Sequence, residues 1–193
     1  MNTTEAENRI TKVSPKLWAR IAGVFYLMNT VTSIYAMYGG KSRLAFVSGL
    51  IATATYIAVT AIFYVLFKPV SRNLSLVAAL FSLAGCADGF FSSVHLISLP
   101  INILVFFGFY CLLIGYLIFR STFLPRFLGV LMAIAGLGYL TLLSPPLGSY
   151  LMNPYIFIAG GVGEGLLTLW LLVKGVNPQR WNQQADAARE RHT

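Results

Sequence analysis

Residues 101–143 read INILVFFGFYCLLIGYLIFR, then STFLP, then RFLGVLMAIAGLGYLTLL. About 20 apolar residues cross the hydrocarbon core of a bilayer, and each of these runs is close to that length. Between them lie only Ser121 to Pro125, bracketed by Arg120 and Arg126. A connection this short forces the two helices to pack antiparallel. Basic residues at the same end of both place that end at one membrane face. The stretch is therefore read as a transmembrane helical hairpin.

The same pattern extends outward in both directions. Six segments qualify as spans, at 17–38, 44–67, 74–99, 101–119, 124–143 and 155–173. The links are short: GGKSR, KPVSRN, the Leu99-Pro100 corner, RSTFLP and SPPLGSYLMNP. The expected fold is all-α, a single six-helix polytopic membrane domain of three antiparallel hairpins. Short polar tails at 1–15 and 176–193 lie outside it. The bulk composition agrees: 57% of the 193 residues are hydrophobic and 10% charged, against about 25% charged in soluble domains. The first dozen residues, MNTTEAENRITK, are polar and give no cleavable signal peptide.

Charge sets the orientation. With the N-terminus inside, twelve Lys and Arg residues fall on the cytoplasmic side and two, Lys41 and Arg43, on the outer side. That asymmetry predicts cytoplasmic termini. Trp18, Trp170 and Trp181 fall near the inner boundary, where amphipathic rings settle. The net charge of +8 is spread over helix ends and forms no stripe interleaved with aromatics, so nucleic acid is not an expected partner.

The basic residues also carry a period. Arg20, Arg72 and Arg126 open spans one, three and five at intervals of 52 and 54 residues; Lys68, Arg120 and Lys174 close spans two, four and six at the same intervals. Arg20-Ile-Ala-Gly-Val resembles Arg126-Phe-Leu-Gly-Val, and Tyr64-Val-Leu-Phe-Lys resembles Tyr116-Leu-Ile-Phe-Arg. This spacing predicts a threefold internal repeat of parallel hairpins.

Between Asn8 and Ala185 there are two acidic residues, Asp88 and Glu164, each inside an apolar run. A carboxylate in hydrocarbon costs several kcal/mol or more unless paired, hydrated or protonated. Neither acid is repeated: the positions matching Asp88 are Ala36 and Leu142, and those matching Glu164 are Ala58 and Tyr110. Asp88, Ser92 and His95 follow at i, i+4 and i+7, one stripe of a helix. Glu164 lies within Gly160-Gly-Val-Gly-Glu-Gly165, where Gly161 and Gly165 form a GxxxG expected to pack against a neighbouring helix. At 1.5 Å per residue, Glu164 lies about 15 Å and Asp88 about 24 Å above the inner edge. Such a difference does not suit a shared-proton dyad; it suits two stations on one hydrated path or two separate sites. Tyr110 falls at the level of Glu164 and is expected to offer it a hydroxyl.

Other chemistries lack their residues. His95 is the one histidine in the spans, too few for haem or, with two separated acids, for zinc. Cys86 and Cys111 form no CxxC pair and read as small buried hydrophobes. No cofactor or metal is expected, and no GxSxG or HExxH motif occurs.

The stretch from Phe107 to Tyr139, with Arg20-Ile-Ala-Gly-Val-Phe-Tyr-Leu and the closing run from Glu164 to Asn177, resembles a bacterial membrane family filed as domain of unknown function 4386. The outer connections after spans one and three are shorter than that family's. The resemblance implies a bacterial inner membrane and carries no activity or functional residues.

Three functions remain open. One is a protein that binds or transports a small molecule or ion through its buried acids. Another is a non-catalytic accessory or sensor subunit, paired with itself or another membrane protein. The third is a membrane-embedded enzyme acting on a lipid-like substrate.

Overall fold

In the computed structural model, residues 14–40, 42–94 and 101–190 are described. All regular elements among them are helical. Five long helices come first: α1 (Pro15–Tyr38), α2 (Arg43–Phe67), α3 (Arg72–Ser93), α4 (Ile103–Arg120) and α5 (Arg126–Leu140). A 3-10 turn at Thr141–Leu143, the short α6 (Pro145–Leu151) and a π turn at Met152–Ile156 lead into α7 (Phe157–Val173). The chain closes with α8 (Pro178–Glu190).

Local chemistry explains the helix starts. Pro15 begins α1, where its missing N–H costs nothing. Ser42, Ser71 and Asn102 cap α2, α3 and α4, accepting from the amides of Ala45, Leu74 and Leu104. Pro154 lacks an amide donor, and the backbone widens to a π turn around it.

Five stretches are long and apolar enough to cross a membrane: Arg43–Phe67, Arg72–Ser93, Ile103–Arg120, Arg126–Leu143 and Pro154–Val173. The first helix, α1, matches their length but is interrupted by Asn29, Thr30, Thr32 and Ser33. Three of those four side chains bond backbone carbonyls: Asn29 donates to Ala52 at 2.9 Å, Thr30 to Tyr26 at 2.9 Å and Thr32 to Met28 at 2.7 Å. Bonding back one turn is how hydroxyls are accommodated where water is absent.

Each long helix packs on its sequence neighbours, and α1 also packs on α7. The result is a closed ring, α1–α2–α3–α4–α5–α7. Aromatic side chains fill its centre. Tyr56 meets Tyr26 and Tyr110 edge-on, both with centroids at 5.8 Å, and Phe107 at 4.8 Å. Large apolar residues such as Val31, Leu44, Leu80, Leu137 and Leu169 are exposed on the outside. An exposed apolar surface spread over every long helix is far beyond what a soluble monomer shows, and it is the surface lipid covers.

The α4–α5 hairpin is the tightest contact. A Cβ on Gly115 would stand 2.7 Å from the Gly129 carbonyl oxygen, and one on Gly136 would stand 2.7 Å from that of Gly108. The two backbones touch where these glycines face each other, and only glycine allows it. Arg126 lies over the Phe119 ring at 5.6 Å, across the turn that joins the two helices.

The C-terminal residues read as a polar tail instead form α8, which lies across the basic end of the ring. The Trp181 indole donates to the Leu66 carbonyl at 2.9 Å, and the Gln184 side chain accepts from the Thr122 amide at 3.0 Å. Trp181 thus ties the tail to the bundle as well as marking its boundary.

Candidate functional site

Near the middle of α7, Glu164 is half-buried, with its carboxylate turned towards the other helices of the ring. The Tyr26 hydroxyl donates to one of its oxygens and the Tyr139 hydroxyl to the other, both at 2.9 Å. The Cys111 thiol stands 3.9 Å from the oxygen that Tyr139 meets. Four helices, α1, α4, α5 and α7, therefore converge on one side chain. Tyr26 and Cys111 are fully buried and Tyr139 nearly so.

Glycines bring the partners close. A Cβ on Gly23 would lie 3.0 Å from the Leu172 backbone nitrogen, so α1 and α7 approach there, one turn before Tyr26. Gly160 leaves the space that the Tyr139 hydroxyl occupies on its way to Glu164. A Cβ on Gly163 would stand 2.8 Å from the Leu131 carbonyl oxygen, which seats α5 on the same face.

The packing glycines of α7 are thus Gly160 and Gly163. Gly161 and Gly165, expected from the GxxxG spacing to pack against a neighbour, have no other part of the described chain within 4 Å of where a Cβ would be. A helix turns 100° per residue, so shifting the pair by one or two positions moves it off the contact face.

The hydroxyls reaching Glu164 belong to Tyr26 and Tyr139; that of Tyr110, the residue expected to supply one, goes elsewhere. Tyr110 is buried against Tyr56, and its hydroxyl has no hydrogen-bond partner among the described residues. Depth counting contained the signal for the other two. Tyr26 lies about 9 Å and Tyr139 about 20 Å above the basic edge, bracketing Glu164 within reach of a tyrosine side chain.

Asp88 is differently placed. It is half-buried and has no hydrogen bond or ion pair among the described residues. Its helix packs on α2 and α4, whereas α7 packs on α5 and α1, so the two acids are carried by helices that are not neighbours. Span three was read as running to residue 99; α3 is described to Ser93, and residues 95–100 lie outside the described part of the chain. Asp88 is therefore five residues from a helix end. Ser92 is exposed, and His95 lies outside the described residues. Both cysteines are free and buried, Cys86 on α3 and Cys111 on α4. Among the described residues no cluster of His, Cys, Asp and Glu has the makings of a metal site.

An uncharacterised protein from Archaeoglobus fulgidus is 28% identical over 161 residues, covering 80% of this chain and 93% of the relative. No solved structure matches. Residues 99–175 match the model of the family described as "Domain of unknown function (DUF4386)". The stretch carrying α4, α5 and α7, with Cys111, Tyr139 and Glu164 on it, is thus the part of the chain that is similar to that family.

Proposed function

We propose that this chain is a six-span protein of the cell inner membrane, with both termini cytoplasmic, that binds a small cation or protonated small molecule at Glu164 and couples that binding to transport. One observation carries the reading. A carboxylate at mid-depth is held open by hydroxyl groups from two other helices, with no basic side chain neutralising it among the described residues. A carboxylate offers about four acceptor positions; two are taken by tyrosines and one is approached by a thiol. Tyr110 adds a buried hydroxyl in the same aromatic cluster.

Further observations support the topology. The polar groups of α1 bond to backbone carbonyls, and α1 closes the ring. The third residue after each repeat arginine (Gly23, Ser75, Gly129) and the sixth (Tyr26, Ala78, Met132) are all buried. A repeated hairpin would give this.

The test is ion and proton flux in liposomes containing the purified protein across a range of pH. Wild-type protein is expected to show a pH-dependent flux that Glu164→Gln abolishes while the helical content is unchanged. Equal flux in both proteins would refute the reading.

A second reading, an accessory or sensor subunit, is favoured by the uncovered Gly161 and Gly165 face. It predicts a larger complex after gentle extraction, lost on Gly161→Leu; a lone monomer in both cases argues against it.

A further inference from the structure

A cleft of about 500 Å³ opens at the basic end of the ring, separate from Glu164. It forms where the start of α1, the α4–α5 turn, the end of α7 and the start of α8 come together. Its lining includes Lys16, Lys174 and Arg180, with Thr122, Asn177 and Trp170, and no carboxylate.

We propose that this cleft binds the phosphate headgroup of an anionic phospholipid from the adjoining leaflet. The proposal rests on the membrane placement of the ring and is independent of the reading of Glu164.

The cations are held in place by the fold. The Arg180 guanidinium donates to the Thr122 carbonyl at 3.3 Å, which fixes it against the α4–α5 turn. Gly175 has φ +68°, and a Cβ there would stand 3.1 Å from Lys16 Cγ, so the lysine stem lies across the glycine. Neither the Lys16 nor the Lys174 side chain has a hydrogen bond or ion pair among the described residues. Three like charges sharing one cleft repel, and a bound anion relieves that repulsion. A phosphate diester offers two acceptor oxygens for such donors.

Position selects a lipid over a soluble phosphate. The cleft begins where the apolar run of α7 ends, the depth at which headgroups lie, and Trp170 lines it as an interfacial indole does. Leu17, Leu169 and Val173 expose apolar surface beside it. A ligand that carries both phosphate and acyl chains covers both surfaces, and inorganic phosphate covers one. Basic pockets of this kind between helices on the cytoplasmic side are suited to anionic headgroups.

The experiment is native mass spectrometry of the full chain released from nanodiscs of equimolar phosphatidylcholine and phosphatidylglycerol. Wild-type protein is expected to retain phosphatidylglycerol in roughly tenfold preference, about 1.4 kcal/mol. Lys16→Gln and Lys174→Gln break no bond in the fold and should each weaken that preference. The triple variant with Arg180→Gln should abolish it. Arg72→Gln, at the same end but outside the cleft, should leave it intact. Equal retention of the two lipids by wild-type protein overturns the proposal. So does a preference that survives the triple variant, or one that Arg72→Gln removes equally. Full displacement of the lipid by inorganic phosphate at matched concentration assigns the cleft to a soluble anion and overturns the lipid assignment.

Discussion

Glu164 and Asp88 are the same kind of residue in the same kind of sequence, yet the fold treats them in opposite ways. Glu164 is seven residues from the start of α7 and nine from its end, and two tyrosines hold its oxygens. Asp88 is about 8 Å of helix rise from the end of α3 and has no partner among the described residues. Depth accounts for the difference. A carboxylate near the end of a span reaches hydrated headgroups, and its cost falls steeply there. One in the middle must find donors within the protein. Three glycines, Gly23, Gly160 and Gly163, bring those donors close to Glu164. Beside Asp88, Gly85 and Gly89 also bring α4 close, but what meets them is the apolar side chains of Phe106, Phe107 and Ile103 and no donor.

The sharpest way to break this contrast is Glu164→Ala. It leaves two buried hydroxyls without an acceptor, and the expected loss is roughly 2–4 kcal/mol, measured by unfolding in mixed detergent micelles. Next is Gly160→Ala, whose Cβ takes the space of the Tyr139 hydroxyl; a loss of about 1–3 kcal/mol is expected from overpacking. In the same assay Gly161→Ala, one residue along, should be neutral or gain up to about 1 kcal/mol, since it meets open space and lowers chain entropy. A double-mutant cycle of Tyr139→Phe with Glu164→Gln should give a coupling of roughly 0.5–1.5 kcal/mol; a coupling of zero would mean that the 2.9 Å bond does not form in the membrane. The smallest effect is expected for Asp88→Asn, within about 0.5 kcal/mol. A loss as large as that of Glu164→Ala would put Asp88 in the interior after all.

Sequence reading reached the helices because each is bounded by basic residues and short turns, and these are local signals. It singled out Glu164 because a mid-span carboxylate is costly wherever it is found. It missed Tyr26 and Tyr139 because their role depends on which helices close the ring, and sequence spacing does not say that α1 meets α7. It chose Gly161 and Gly165 because GxxxG is a pattern along one helix. The contact is decided by the facing helix, and Tyr139 and Leu131 select Gly160 and Gly163. The glycine seam of α4 and α5 was present as Gly108 and Gly115 against Gly129 and Gly136, seven apart on each helix. It becomes visible only when the two helices are set antiparallel. The family resemblance, strongest over the same hairpin, identified the part of the chain with the closest backbone contact.

The bond from Tyr26 to Glu164 joins residues 138 positions apart. At ribosomal rates of about 5–20 residues per second, Tyr26 is made about 7–28 seconds before its acceptor. Through that interval the first hairpins must stand beside one another with the ring open and a tyrosine hydroxyl unmet. The last span to be made is the one that carries the carboxylate, so its arrival both closes the ring and satisfies the waiting donors. Ring closure therefore waits for residue 164, and a chain that stalls before it leaves the bundle open with the Tyr26 hydroxyl unmet.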